Sequence, residues 1–229
     1  MPTRPSFTSD LYDFLSDLER NNRREWFQEH KPRYEADLKE PALQFIRDFA
    51  PRLEKISPHF DAIPKAVGGS LFRIYRDTRF SKDKTPYKTH CGIHFRHETA
   101  KDAHAPGFYL HIAADEAFVG TGMWHPDPKT AGKVRAAIAA DPAGWKRAIG
   151  GKAFRADWEL AGDSLKRPPR GFDAEHPLIE DLKRKDFMAL TPLSSDRVLA
   201  PGFLTDFAKC CKVGAPLVKF ICGALKAPY

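Results

Sequence analysis

The chain has 229 residues, 42% of them hydrophobic and 12% aromatic, with a formal net charge of +7 and a pI near 9.2. That balance excludes a disordered chain, allows a buried core, and gives a mild attraction to phosphates and acidic surfaces. The four cysteines, Cys91, Cys210, Cys211 and Cys222, form no CxxC pair. This excludes a zinc ribbon and a disulfide scaffold, and with no apolar run of about 18 residues the chain reads as cytoplasmic, with reduced thiols and no membrane partner.

Thr8 and Ser9 can cap a first helix, in which Leu11, Phe14, Leu15 and Leu18 recur at three- and four-residue steps up to Asn21 and Asn22. A second helical stretch begins near Arg24. From Tyr34 to Ile56 one apolar stripe continues, and Pro41 and Pro51 should kink or divide it. After Pro58 the pattern turns to two-residue alternation, with Gly68 and Gly69 opening a strand over Leu71 to Arg76. Cys91, Ile93 and Phe95 alternate with Gly92, His94 and Arg96, and Phe108, Leu110 and Ile112 with Tyr109, His111 and Ala113. Ala114 to Glu116 reads as the turn into a strand from Phe118 to Trp124, which makes a hairpin. Asp127 and Asp141, each followed by Pro, introduce two helices, the second stopping at Gly150 and Gly151. Residues 152–175 read as loop, Pro177 to Lys185 as helix, Phe187 to Leu190 as strand, and Leu199 to Leu225 as helix broken near Gly214 and Pro216.

Helices, then strands, then helices without a βαβ rhythm predict an α+β fold: a central antiparallel sheet with N-terminal and C-terminal helices mainly on one face. No repeat or linker divides the chain, so residues 1–229 read as one compact domain.

The segment from Arg73 to Lys88 carries six cations, Arg73, Arg76, Arg79, Lys82, Lys84 and Lys88, against Asp77 and Asp83, a net of +4. Guanidinium and ammonium groups at that density can grip phosphate or carboxylate. The same loop reads equally as a solvated turn braced by its own aspartates. If Phe72 and Ile74 face the core, Arg73 and Tyr75 share the opposite sheet face with His94, Arg96, Tyr109 and His111. The ligand-binding candidates are therefore Arg73, Arg76, Arg79, Lys84, Tyr87, Lys88, Tyr109 and Trp124. His94 and His111 are the candidate general acids or bases, because imidazole titrates near neutral pH.

Gly120 and Gly122 leave two positions on one face without side chains, which fits either close approach by a ligand or a bend in the hairpin. His90 and His94 stand about 13 Å apart on a straight strand, too far to share a metal. No HExxH, GxxxxGK[ST], GxSxG or GxGxxG pattern occurs. Neither a metal nor a cofactor is indicated.

The run Asn21-Asn22-Arg23-Arg24-Glu25-Trp26-Phe27 with Lys31 and Tyr34, the run Arg76 to Lys84 with Pro86, Tyr87 and Lys88, the stretch Gly120 to Trp124 with Pro126, and Leu165-Lys166 through Pro169, Gly171, Phe172, His176 and Pro177 together carry a resemblance. The chain resembles the bacterial and fungal family known as domain of unknown function 2461. The resemblance covers nearly the whole chain and implies one compact domain, without implying an activity. Where that family carries three glycines before its Trp, this chain has Thr121 in the middle.

Three functions follow as expectations. One is a binding protein or enzyme with a basic site for a phosphorylated or carboxylated small molecule. Another is a nucleic-acid-binding module, against which the evenly spread 30 acidic residues weigh. The last is an interaction scaffold presenting Trp26, Phe27 and Tyr34.

Overall fold

The computed structural model describes residues 5–99 and 104–229. Helices α1 (Ser9–Arg20), α2 (Arg24–Glu29) and α3 (Lys31–Arg33) lead through a π-helical stretch (Tyr34–Lys39) into α4 (Glu40–Glu54). Three strands follow, β1 (His90–Arg96), β2 (Gly107–Ala113) and β3 (Ala117–Met123), then α5 (Pro128–Ala140), α6 (Pro142–Ile149) and α7 (Lys152–Asp157). The chain continues with β4 (Glu159–Ala161), α8 (Ile179–Leu182), β5 (Phe187–Pro192), α9 (Ser195–Leu199) and α10 (Phe203–Leu225). All strand pairs are antiparallel, in the order β1-β2-β3-β5-β4. The fold is α+β.

Local chemistry accounts for these boundaries. Helix α1 buries Leu11, Phe14, Leu15 and Leu18 on one stripe. It ends where both the backbone N–H and the side-chain amide of Asn21 donate to Asp17 O. Pro41, which has no N–H to donate, follows directly on the π-helical turns of Tyr34–Lys39, where the helical ladder widens ahead of it. Asp127 accepts from the N–H groups of Lys129 and Thr130, and Asp141 from that of Gly144, so both Asp-Pro signals are true N-caps.

The alternation seen in the sequence divides the sheet into two faces. Cys91, Ile93, Phe95, Phe108, Leu110, Ile112 and Val119 are at most 1% exposed, packed beneath α1, α4 and α10. The Phe95 ring stacks against Phe49 of α4 and Phe207 of α10, at 4.7 Å from the former and 5.8 Å from the latter. Among the described residues, no helix is long and apolar enough to cross a membrane.

Several elements differ from expectation. Helix α10 runs unbroken through Gly214 and Pro216. Gly214 is there for a close approach: a Cβ at that position would lie 2.8 Å from Thr121, whose hydroxyl donates to Gly214 O at 3.2 Å. Residues 152–175, expected as loop, contain α7 and the edge strand β4, and the helix expected over Pro177 to Lys185 shrinks to α8. Leu71 to Arg76 is not a strand. It meets its neighbours only through isolated bridges, Leu71 to Ile93 and Tyr75 to Tyr87. Cys210 and Cys211 are both buried, because α6 and α9 cover α10 where the sheet does not.

Candidate functional site

The face of the sheet opposite the helices carries a different set of residues. Cross-strand pairing sets His94, Tyr109, Gly120 and Leu190 in one row, Gly92, His111 and Phe118 in a second, and Gly107, Gly122 and Met188 in a third. Each row has at least one glycine beside a large side chain. The floor drops at the glycines and the rings and thioether rise around it, forming a cavity of about 450 Å³. That volume and its mainly apolar wall are those of small-molecule sites.

The spaces over the glycines are already in close use. A Cβ on Gly92 would lie 2.7 Å from the Tyr109 hydroxyl and 3.1 Å from the Phe72 ring. Gly122 has φ +109°, and a Cβ there would strike Phe187 O at 2.2 Å. Thr121, where the resembled family carries glycine, points to the helical side and bonds α10, so that departure leaves the cavity face unchanged.

Polar groups gather at one end. The Tyr109 hydroxyl lies 3.1 Å from Nδ1 of His111, and Nε2 of His111 is 3.5 Å from the Glu116 carboxylate. The His90 and His111 rings sit 4.4 Å apart. Burial, aided by the Lys88 ammonium, holds His90 down to about 4, and burial, aided by His90, holds His111 down to about 4 against the pull of Asp115. Both imidazoles are neutral at pH 7. Burial also pushes the Tyr109 phenol up, so it remains a protonated donor. Lys88 Nζ donates to Arg73 O at 2.8 Å and lies 5.5 Å from the centre of the Phe72 ring.

Trp124 forms the opposite rim, half-exposed and stacked at 5.6 Å on His104. Asp186, 1% exposed, sets its position by accepting from the N–H groups of His125 at 2.7 Å and Asp163 at 2.8 Å. His125 has φ 45°, so a buried carboxylate holds a strained turn directly after Trp124. A strand over Phe187 to Leu190 was expected, but the place of Asp186, Met188 and Leu190 at the cavity was missed, since they lie more than 60 residues from the strand they pair with. The alternation of Met188 and Leu190 along a strand was the one available signal.

Of the side chains expected to hold a ligand, the structure brings together Lys88, Tyr109 and Trp124, with His94 and His111 beside them. Arg73, Arg76, Arg79, Lys84 and Tyr87 are elsewhere. The parity assigned to residues 72–75 is corrected: Phe72 lies 5.7 Å from Tyr109 on the cavity side, Arg73 is exposed, and Tyr75 packs on Phe27 and Tyr87. An irregular segment has no reason to keep period two. Arg96 leaves the cavity to bond the carbonyls of Gly68 and Gly69.

The basic loop is braced from within. Arg76 pairs with Asp83 and Thr85, Arg79 with both carboxylate oxygens of Asp77, and Lys84 with Thr78 O. Hydrogen bonds from Arg79 hold Asp77 down to about 2, and those from Arg76 and Thr85 do the same for Asp83. Tyr87 is 2% exposed and stacks on Phe27 at 4.0 Å. Its backbone is clamped by Asn22, which donates to Tyr87 O at 2.9 Å and accepts from Tyr87 N at 3.1 Å. Phe27 is buried, and Trp26 and Tyr34 are partly buried against the same core. Among the described residues, no group of three or more His, Cys, Asp or Glu is placed to hold a metal ion.

The family model described as a conserved hypothetical protein (DUF2461) matches residues 10–220, and the chain belongs to that family. No curated protein and no solved structure matches the chain.

Proposed function

Since membership of that family names no ligand, we propose from the cavity itself that the protein binds, as carrier or enzyme, a small and mainly apolar molecule ending in a carbonyl or carboxylate head. The observation that carries this is the polarity gradient along the cavity. Lys88, His90, His111 and the Tyr109 hydroxyl occupy one end, where Phe118 stacks on His111 at 4.6 Å, while Leu190, Met188 and Trp124, with His94 among them, line the rest. A phosphate dianion is disfavoured, because among the described residues the wall supplies one cation, and the guanidinium groups of Arg76 and Arg79 are committed to aspartates.

The test is calorimetric titration with straight-chain carboxylic acids and aldehydes of rising length, beside inorganic phosphate and sulfate. Affinity is expected to climb with length by up to about 0.8 kcal/mol per buried CH₂, and phosphate and sulfate should give no heat. Gly120→Ile, which fills the floor beside Leu190 and Tyr109, should abolish binding. Affinity independent of chain length, or untouched by Gly120→Ile, would defeat the proposal.

Phe80 favours a second function, the nucleic-acid module. Its ring is 95% exposed on the basic loop, with the Arg79 guanidinium 5.8 Å from its centre. Exposed rings beside cations stack on unpaired bases. Anisotropy of a labelled single-stranded oligonucleotide should then fall steeply with salt and be lost in Phe80→Ala.

A further inference from the structure

We propose that Lys88 is a nucleophilic amine whose Nζ attacks an aldehyde or ketone bound in the sheet-face cavity and forms a reversible imine with it. This deepens the small-molecule reading above and rests on it.

The setting of Lys88 differs from that of the lysines held in ion pairs. Lys183 meets Glu180 at 2.7 Å, Lys185 meets Asp163 and Lys39 meets Glu35, all with carboxylate partners near solvent. Lys88 is packed against the Phe72 ring at the cavity wall, and among the described residues no carboxylate pairs with it. Its hydrogen bond goes to a carbonyl, Arg73 O, and the charge that bears on it is a like one, the Arg73 guanidinium. An ammonium partly removed from water, beside a like charge and without a counterion, gives up its proton more readily, and this is one way lysines become nucleophiles. Burial first and Arg73 second lower the Lys88 pKa, in agreement with that geometry. A neutral amine can keep one N–H on Arg73 O and still offer its lone pair.

The step balances without a cofactor. The Nζ lone pair forms the C–N bond while the C=O π pair moves to oxygen, and both amine hydrogens pass to that oxygen, which leaves as water. One amine and one carbonyl give one imine and one water. His90, two residues on at the same end of the cavity, is neutral at pH 7, held there by burial and by the Lys88 ammonium. It is the group placed to carry the proton from nitrogen to oxygen. The dry wall of Phe118 and Leu190 would slow the return of water.

The experiment incubates the full chain at neutral pH with hexanal and cyanoborohydride, which reduces imines to stable amines, and maps the labelled peptides by mass. Lys88 is expected to be labelled several-fold faster than the exposed lysines. Lys88→Arg keeps the charge and should lose the fast label while still melting at the parent temperature. Labelling spread over surface lysines, with Lys88 not enriched, overturns the inference. Hexanol and hexanoate, which form no imine, are titrated in parallel. If they bind in a manner abolished by Gly120→Ile while Lys88 stays unlabelled, the imine falls and the small-molecule reading stands. If nothing binds, both fall.

Discussion

The two faces of β1, β2 and β3 are built from the same backbone with opposite side-chain economies. On the helical face every position is filled, and α10 comes so close that only Gly214 fits opposite Thr121. On the other face Gly92, Gly107, Gly120 and Gly122 withhold side chains, and histidines and tyrosine stand where aliphatic residues would pack. Apolar packing is concentrated on one side of the backbone, and the cavity with its neutral imidazoles lies on the other.

The largest test of this division compares two phenylalanines. Phe95→Ala, on the filled face, should cost about 3–5 kcal/mol of unfolding free energy in urea, whereas Phe118→Ala on the cavity wall should cost about 1 kcal/mol. Equal costs would break the distinction between the faces.

Between pH 7 and pH 4 acid should act mainly on the cavity face, since the depressed Asp77 and Asp83 titrate below that range. His90 and His111 are depressed from their ordinary value of 6.5 to about 4, so below pH 6.5 the unfolded chain takes up protons that the folded chain refuses. The stability present above pH 6.5 is therefore lost as pH falls towards 4, at no more than about 1.4 kcal/mol per pH unit for each imidazole. Urea midpoints between pH 7 and pH 4 should show this slope, and replacing both histidines by Gln should flatten it.

Gly92→Ala should push the Tyr109 hydroxyl away from His111, at a cost of about 1–3 kcal/mol, and reduce the cavity. A variant of parental stability would mean the tyrosine moves freely. Smaller still, Asn22→Ala removes two bonds to the Tyr87 backbone and should cost about 1–2 kcal/mol by thermal unfolding. Because Tyr87 precedes Lys88, that variant should also weaken carboxylate binding more than it weakens binding of a neutral alcohol.

The filled face was legible in the sequence because alternation states it directly: Cys91, Ile93, Phe95, Phe108, Leu110 and Ile112 are all where period two puts them. The Asp-Pro caps were legible because they act within four residues. The cavity was only partly legible. Tyr109, His111 and Trp124 follow from the strand parities, but the wall that completes them comes from β5, and no short-range pattern says that β5 will lie beside β3. The basic loop misled for a related reason. Its charge is plain in the sequence, while the pairing of Arg76 with Asp83 and of Arg79 with Asp77 depends on how the loop folds back on itself. The strand expected over Leu71 to Arg76 failed because propensity was read without a ladder to enforce it.

The order in which these layers appear along the chain bears on biosynthesis. Strands β1 to β3 leave the ribosome well before α10, the helix that seals β3, and before β5, which closes the cavity. During that interval Val119 and the rest of β3 lack the cover that α10 will bring, and the edge where β5 will pair is an open row of amides and carbonyls. The nascent protein thus carries an incompletely covered sheet through nearly half of its translation. A chain stopped short of Phe203 would be expected to aggregate or be degraded rather than survive as a functional fragment.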